Sequence, residues 1–254
     1  MLKYSETNWK SAKGLETKRY NVTFNWVKSQ RTVEEQKERP ERLSLVKVFT
    51  EEERRHFIDI CVRIHNNDAA FHFDKDKIFH TTLIGFPVLD CSYYNTVMEK
   101  IRHFCDVKMN QMWVRFNLIR LGTKYEDDND LKPVPDISNG TLIAFGDCLY
   151  NTEFTTFGNT LVSFLLDDGK LNSILGSGFR RRFPSVWCTM GYYVTDFKIT
   201  TKVEKMLNKY RYLEIERFHI PCTELELGKS HYRDLRDWKT IRKFVYKGES
   251  IMSG

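Results

Sequence analysis

Apolar and polar residues alternate along several short stretches of the chain, and between these stretches apolar residues recur at helical spacing. Residues 43–49, LSLVKVF, have the alternation of a strand. Thr50 follows directly, and Glu53 stands three residues later in the pairing of a capping box. The pattern therefore predicts a strand and then an amphipathic helix, whose apolar face is formed by Phe57, Ile60, Cys61 and Ile64.

The same succession of elements continues toward the C-terminal part of the chain. Two strand-like stretches, a second helix and a strand lie in order within residues 69–122. An acidic loop with proline and glycine occupies residues 123–140, and a strand, helix, strand, helix and closing strand follow it. This order predicts an α+β protein of two lobes, roughly residues 43–122 and 140–240, with the site in a groove between them.

Residues 1–42 are polar and basic, and we interpret them as an N-terminal extension of a domain that spans residues 43–254. A charge-rich run broken by Pro40 predicts a solvated helix or an ordered arm, with a nucleic-acid-binding tail as the alternative. Residues 19–27, RYNVTFNWV, alternate as a strand does and could add an edge strand to a sheet.

Composition and charge narrow the function classes. A chain of 254 residues, 41% of them hydrophobic, can bury a substantial core. No window approaches the roughly 18 consecutive apolar residues of a membrane span, and the first residues lack the apolar stretch of a secretory signal. These features predict a cytoplasmic protein that does not enter the membrane. A net charge of +6 favours polyanionic partners such as RNA or nucleotides.

The six cysteines are widely spaced, with no CxxC pair and no histidine at metal-ligand spacing. This pattern indicates neither a disulfide framework nor a zinc site, and it favours buried free thiols. We therefore expect no metal and no cofactor.

His80 and Thr82 are the first candidates for chemistry. In KIFHTTLIGF, strand alternation places His80, Thr82 and Ile84 on one face. An imidazole can move a proton near neutral pH, and a hydroxyl two residues away can bond a phosphate oxygen. An ordinary strand histidine satisfied by a neighbour is the alternative interpretation of this short motif.

The segment HTTLIGF resembles the His-x-Thr-Leu motif of the 2H phosphoesterase superfamily, which includes RNA 2′,3′-cyclic phosphodiesterases once called 2′-5′ RNA ligases. The order of elements from about residue 43 to residue 240 is similar to that family as well. The resemblance implies two antiparallel sheets that face a central groove, with helices on the outside. It also implies a metal-independent hydrolase in which one histidine is the base, the other is the acid, and the threonines hold the phosphoryl oxygens.

The second motif of the family departs from its pattern in this chain. In FPSVWCTMGYY, Thr189, Met190 and Gly191 match the family's Thr-Leu-Gly, so Trp187 stands where the second histidine is expected. An indole cannot transfer a proton at neutral pH, although it can stack on a base or ribose and donate one hydrogen bond. His219, in ERFHIPCTEL, is the candidate substitute acid, with an ordinary strand histidine as the alternative.

Further candidates for substrate binding lie next to the second motif. Arg180 and Arg182 precede it in a basic run that suits phosphate contacts, although such a run is also typical of a solvated turn. Tyr193 follows the motif as a weaker candidate, since aromatic residues in strands usually belong to the core.

Three hypotheses for the function stay open at this point. The first is a divergent phosphodiesterase acting on 2′,3′-cyclic phosphates or 2′,5′ linkages of RNA or nucleotides through His80 and Thr82. The second is a catalytically impaired module that binds RNA or nucleotides in the same groove, which Trp187 favours. The third is an interaction protein in which the two motifs are accidents of strand sequence.

Overall fold

The computed structural model describes residues 40–121, 141–146, 151–176, 179, 186–193, 201–210, 218–231 and 235–248. Within these ranges the chain forms five α-helices and ten strands. The helices are α1 (Glu51–His65), α2 (Tyr94–Lys108), α3 (Thr152–Leu166), α4 (Gly169–Leu175) and α5 (Thr201–Tyr210). The strands are β1 (Arg42–Val48), β2 (Phe71–His72), β3 (His80–Gly85), β4 (Met112–Arg115), β5 (Leu118–Leu121), β6 (Thr141–Gly146), β7 (Val186–Tyr193), β8 (His219–Cys222), β9 (Glu224–Ser230) and β10 (Lys239–Val245).

The described strands form three antiparallel sheets, which confirms the predicted α+β class. The first sheet has the order β10-β9-β1-β3, the second has the order β2-β7-β6-β5, and the third pairs β4 with β8. The two larger sheets exchange strands between the chain's halves, because β9 and β10 join the first sheet and β2 joins the second. The sheets are therefore not built from the two consecutive stretches, residues 43–122 and 140–240, that the sequence predicted.

Two segments predicted as single strands are divided between sheets. In the first of them, the N–H of Phe116 donates to the carbonyl of Phe218, and the N–H of Asn117 donates to the carbonyl of Phe145. Because these consecutive amides bond to different sheets, the chain passes at this point from β4 to β5. The predicted closing strand likewise separates into β8 and β9, and the pattern of residues did not indicate β10.

The capping box predicted for the first helix is present. Thr50 Oγ1 accepts a hydrogen bond from the Glu53 N–H at 3.2 Å, and Glu53 Oε2 accepts one from the Thr50 N–H at 2.7 Å. These reciprocal bonds satisfy amides that the start of a helix would otherwise leave without partners. The predicted apolar face is buried, at Phe57, Ile60, Cys61 and Ile64.

An aromatic cluster joins this helix to the strands that carry the site. The Phe57 ring lies 5.7 Å from Phe49, 6.3 Å from Phe79 and 5.3 Å from Phe218, measured between ring centroids. Phe49 directly follows β1 and Phe79 directly precedes β3. The helix α1 therefore supports the ends of these two paired strands where His80 begins β3.

The sequence favoured buried free thiols, and four of the five described cysteines fit that interpretation. Cys61, Cys105, Cys188 and Cys222 are buried, and Cys91 is exposed. Burial raises the pKa of the Cys105 thiol to about 12, so this side chain stays protonated at neutral pH.

Two further predictions concern the ends of the chain and the membrane. The possible edge strand at residues 19–27, and the rest of residues 1–39, lie outside the described residues. Among the helices that are described, none combines the length and the apolar character needed to cross a bilayer.

Candidate functional site

Strand β3 presents His80 and Thr82 on one face. His80 is half-buried and Thr82 is exposed, whereas Thr81 between them is only 1% exposed and faces the core. The alternation predicted for this pair is therefore present. The same prediction was wrong for Ile84, because the pairing with β1 shifts at Leu83 and turns Ile84 into the core.

The backbone just before β3 orients the imidazole of His80. Its Nδ1 lies 3.1 Å from the backbone carbonyl oxygen of Ile78. A carbonyl only accepts, so this bond requires the proton on Nδ1 and leaves the lone pair of the neutral ring on Nε2. An imidazole held in this tautomer can act as a base through Nε2.

His80 and Thr82 line one cavity of about 230 Å³. The cavity lies along the first sheet, since strand β1 contributes Arg42 and Ser44, and the end of β9 contributes Ser230. The further polar side chain in its lining is His231, the residue after β9. A cationic guanidinium, hydroxyls and two imidazoles therefore surround this space, which is a suitable lining for a phosphate ester.

The cavity wall at the end of β9 is fixed by Asp237. The hydroxyl of Ser230 donates to Asp237 Oδ1, while the backbone N–H of His231 lies 3.1 Å from Oδ2 and its Nδ1 lies 2.8 Å from the same oxygen. Burial raises the pKa of Asp237, but these hydrogen bonds outweigh burial and lower the pKa to about 2. Asp237 is therefore ionised at neutral pH and holds the proton of His231 on Nδ1.

Strand β7 carries the second motif. Trp187 and Thr189 are half-buried, whereas Cys188 and Met190 between and after them are 1% and 0% exposed. In the pairing with β6, Trp187 lies opposite Phe145 and Thr189 lies opposite Ile143. Trp187 and Thr189 therefore share the less buried face of β7, as His80 and Thr82 do on β3.

The two motif strands contact each other through Cys188. The backbone N–H of His80 hydrogen-bonds to the buried thiol of Cys188. Burial raises the pKa of this thiol to about 12, and the bond from His80 partly opposes that effect. Trp187 and Thr189 flank Cys188 but lie on the opposite face of β7, and neither is part of the lining of the cavity that contains His80 and Thr82.

The remaining predicted site residues have mixed outcomes. Tyr193 is 1% exposed and its hydroxyl donates to Asp68 Oδ2 at 3.3 Å, so it belongs to the core and not to a substrate surface. Arg180 and Arg182 lie outside the described residues. His219 is half-buried on β8, where it pairs with Arg115 in the third sheet, and it is not part of the lining of the cavity that contains His80.

Sequence reasoning missed Arg42, Ser44, Ser230 and His231 as lining residues, and Asp237 as the support of Ser230 and His231. The available signal was the alternation of residues 224–230, ELELGKS, which places Glu226, Gly228 and Ser230 on one face. The pattern does not show that β9 pairs with β1, and this pairing brings Ser230 beside Arg42. Across the described residues, no group of three or more histidine, cysteine, aspartate or glutamate side chains is arranged to hold a metal ion.

Comparisons with known proteins give similarity only at the level of structure. No family model matches the sequence, and the search of curated proteins found no match. Among solved structures, the chain is similar to LigT of E. coli in its apo form, with a TM-score of 0.49 and 10% identity over 81% of this chain and 96% of that one. It is also similar to the protein TT0787 of Thermus thermophilus, with a TM-score of 0.49 and 12% identity over 82% and 99% of the two chains.

A third similar structure is Usb1 of Kluyveromyces marxianus, with a TM-score of 0.41 and 10% identity over 81% of this chain and 97% of that one. These similarities concern the arrangement of the fold.

Proposed function

We propose that this chain is a divergent 2H phosphoesterase-like protein that acts on a 2′,3′-cyclic phosphate or a 2′,5′-phosphodiester of RNA or nucleotides through His80 and Thr82. The observation that carries the proposal is that both side chains line a single cavity together with the cationic Arg42. The sequence motif around His80 supports the same assignment independently of the cavity.

His80 is the base of the proposed reaction. The bond from Nδ1 to Ile78 leaves Nε2 to accept a proton from water, whose oxygen then attacks the phosphorus. As the bond from phosphorus to the leaving ribose oxygen breaks, that oxygen takes up a proton from solvent water. The Thr82 hydroxyl bonds a nonbridging phosphate oxygen and holds the phosphorus in position.

An enzymatic role also requires a second proton transfer, from an acid to the leaving oxygen. By the resemblance of residues 183–193 to the family's second motif, Trp187 stands where the second histidine is expected, and an indole cannot protonate the leaving oxygen. Loss of a positioned acid costs roughly 10²- to 10⁴-fold in rate. This observation favours the alternative function, an RNA- or nucleotide-binding module in which Trp187 stacks on a base and His80 contacts the phosphate.

Hydrolysis and binding of uridine 2′,3′-cyclic phosphate by the full-length chain test the proposal. We expect hydrolysis above the uncatalysed rate and a loss of about 10²-fold or more in His80→Ala. The matched control is His56→Ala, because His56 is exposed on α1 and contacts Phe218 at the edge of the core, away from the cavity.

The two candidate functions give different results in this experiment. Binding that depends on His80, without hydrolysis by the wild type, supports the binding module. Neither hydrolysis nor binding, tested also with a short oligonucleotide that ends in a 2′,3′-cyclic phosphate, rejects both functions and favours the interaction protein.

A further inference from the structure

The cavity extends well beyond His80 and Thr82. Strand β1 gives the length of the cavity, because it pairs with β3 on one side and β9 on the other. Its Val46 lies opposite Thr82, and its Arg42 lies opposite Ser230. Four residues of strand span about 13 Å at roughly 3.3 Å per residue. The end of the cavity at Ser230 is therefore about 13 Å of backbone away from Thr82.

The distant end of the cavity carries positive charge. Arg42 is exposed and lines the cavity, and its side chain makes no hydrogen bond or ion pair within the part of the chain that the structure describes. The carboxylate that supports this end, Asp237, is already occupied by donors from Ser230 and His231. The guanidinium of Arg42 is therefore available to an anionic ligand.

His231 contributes a second oriented group at this end. Its Nδ1 donates to Asp237 at 2.8 Å, so the ring presents Nε2 on its other side. A neutral ring accepts a hydrogen bond at Nε2 from a ribose hydroxyl, and a protonated ring donates one to a phosphate oxygen. Because His231 lines the cavity, a ligand in the cavity can form either of these hydrogen bonds with Nε2.

The backbone distance between the two ends favours a ligand longer than one phosphate. A stacked nucleic-acid strand advances about 3.4 Å per phosphate, so about 13 Å corresponds to more than one nucleotide. The cavity volume of about 230 Å³ is also below the roughly 300–1,000 Å³ of sites that enclose a whole small molecule. An open groove that holds part of a longer ligand fits both observations.

We propose that Arg42 and His231 form a second phosphate subsite, so that the ligand of this groove is the 3′ end of an oligoribonucleotide and not a mononucleotide. This inference rests on the proposed function, because it assumes that His80 and Thr82 receive the terminal phosphate. Arg42 then contacts a phosphate further along the strand, and His231 contacts the same phosphate or its ribose.

The test compares two probes with the full-length chain: uridine 2′,3′-cyclic phosphate and a four-nucleotide uridylate that ends in a 2′,3′-cyclic phosphate. The quantity measured is the dissociation constant, or KM if the probe is hydrolysed. We expect the wild type to bind the tetranucleotide at least about tenfold more tightly, and more weakly as salt rises. Arg42→Gln should weaken the tetranucleotide at least about fivefold more than the mononucleotide and reduce the salt slope by about 1.

His231→Ala should also reduce the preference for the tetranucleotide over the mononucleotide. The matched control is Arg55→Gln. Arg55 is exposed on α1 and is not part of the cavity lining, so its removal should leave the preference unchanged. Circular dichroism establishes that each variant is folded.

The outcomes separate this inference from the function on which it rests. If the wild type binds both probes equally, or if Arg42→Gln weakens both by the same factor, the second subsite is wrong while the proposed function stands. If the wild type binds neither probe, the proposed function fails and the subsite fails with it.

Discussion

Oδ2 of Asp237 lies 2.8 Å from Nδ1 of His231 and 3.1 Å from the backbone nitrogen of the same residue. One carboxylate oxygen thus fixes both the ring and the main chain at the end of β9. The other oxygen accepts from the hydroxyl of Ser230. The segment before β10 is tied in this way to the wall of the cavity, so the shape of that wall depends on the charge of Asp237.

Asp237→Ala should lower the free energy of unfolding in a pH-dependent manner. Burial raises the pKa of Asp237, but the bonds from Ser230 and His231 lower it to about 2, below the roughly 3.9 of an unfolded aspartate. A lowered folded-state pKa stabilises the fold fully above about pH 4, and this stabilisation is lost as the pH falls toward 2. We expect a loss of about 1–2 kcal/mol at pH 7, below the full linkage value because the side chain is partly exposed.

Urea unfolding of wild type and variant at pH 7, 5, 4 and 3 measures this difference. The control is Asp59→Ala, which removes an exposed carboxylate on α1. A gap between wild type and Asp237→Ala that stays constant from pH 7 to pH 3 would contradict the assignment of the stabilisation to the ionised carboxylate.

Glu53→Ala should destabilise the fold more than Thr50→Ala, although both remove half of the capping box. Loss of the Thr50 cap costs about 1 kcal/mol. Glu53 also pairs with the ammonium of Lys47 at 3.1 Å, and the Lys47 side chain is only 6% exposed. Removing one partner of a buried pair leaves an uncompensated charge, which costs about 3 kcal/mol or more.

Thermal or urea unfolding of the two variants decides this order. The double variant Lys47→Met, Glu53→Ala should recover part of the loss, because it removes the isolated charge. Equal losses in Thr50→Ala and Glu53→Ala, with no recovery in the double variant, would mean that Lys47 does not depend on Glu53.

Local patterns predicted the elements well where neighbouring residues determine them. Thr50 and Glu53 are three residues apart, so the start of α1 could be predicted from the sequence, and the alternation around His80 gave its face correctly. The bulge at Leu83 was not predictable in this way, because it depends on the register with β1. A shift of one residue turned Ile84 from the predicted face into the core.

The composition of the site was less predictable for the same reason. Arg42 lies beside Ser230 only because β1 pairs with β9, and 187 residues of chain lie between these two positions. His231 and Asp237 are close in sequence, but nothing in their spacing indicates that they adjoin the cavity of His80. Strand alternation suggested His219 as a substitute acid. Alternation alone could not show that β8 pairs with β4 in a separate sheet, and this pairing sets the position of His219.

Gly191→Ala should destabilise the fold, although the glycine stands in a candidate site motif. A Cβ at this position would lie 2.3 Å from the ring of Phe71 and 2.6 Å from the carbonyl oxygen of His72. The backbone of β2 cannot move away without breaking its pairing with β7, so overpacking should cost about 1–3 kcal/mol. The control in urea unfolding is Gly85→Ala on β3, where a Cβ has no neighbour within 4 Å. Equal stability of the two variants would show that β2 yields to the added carbon.

Trp187→His should increase hydrolysis of uridine 2′,3′-cyclic phosphate by roughly 10²- to 10⁴-fold, the contribution of a positioned acid. The reason is that Trp187 and Thr189 share the less buried face of β7, and that β7 contacts β3 through Cys188 and His80. The proposed function expects an imidazole at position 187 to reach the same phosphate as His80, although Trp187 is not part of the cavity lining. The gain should vanish when His80→Ala is added, since the reaction would again have one proton-transfer group.

Trp187→Phe is the control, because it keeps an aromatic ring without supplying an acid. Its hydrolysis rate should stay at the wild-type level, whereas binding of the probe should weaken if the indole N–H donates to the ligand. A rate that rises equally in the histidine and phenylalanine variants would mean that removing the indole merely opens the groove. A rate that does not rise with histidine would show that β7 does not present position 187 to the phosphate held by His80.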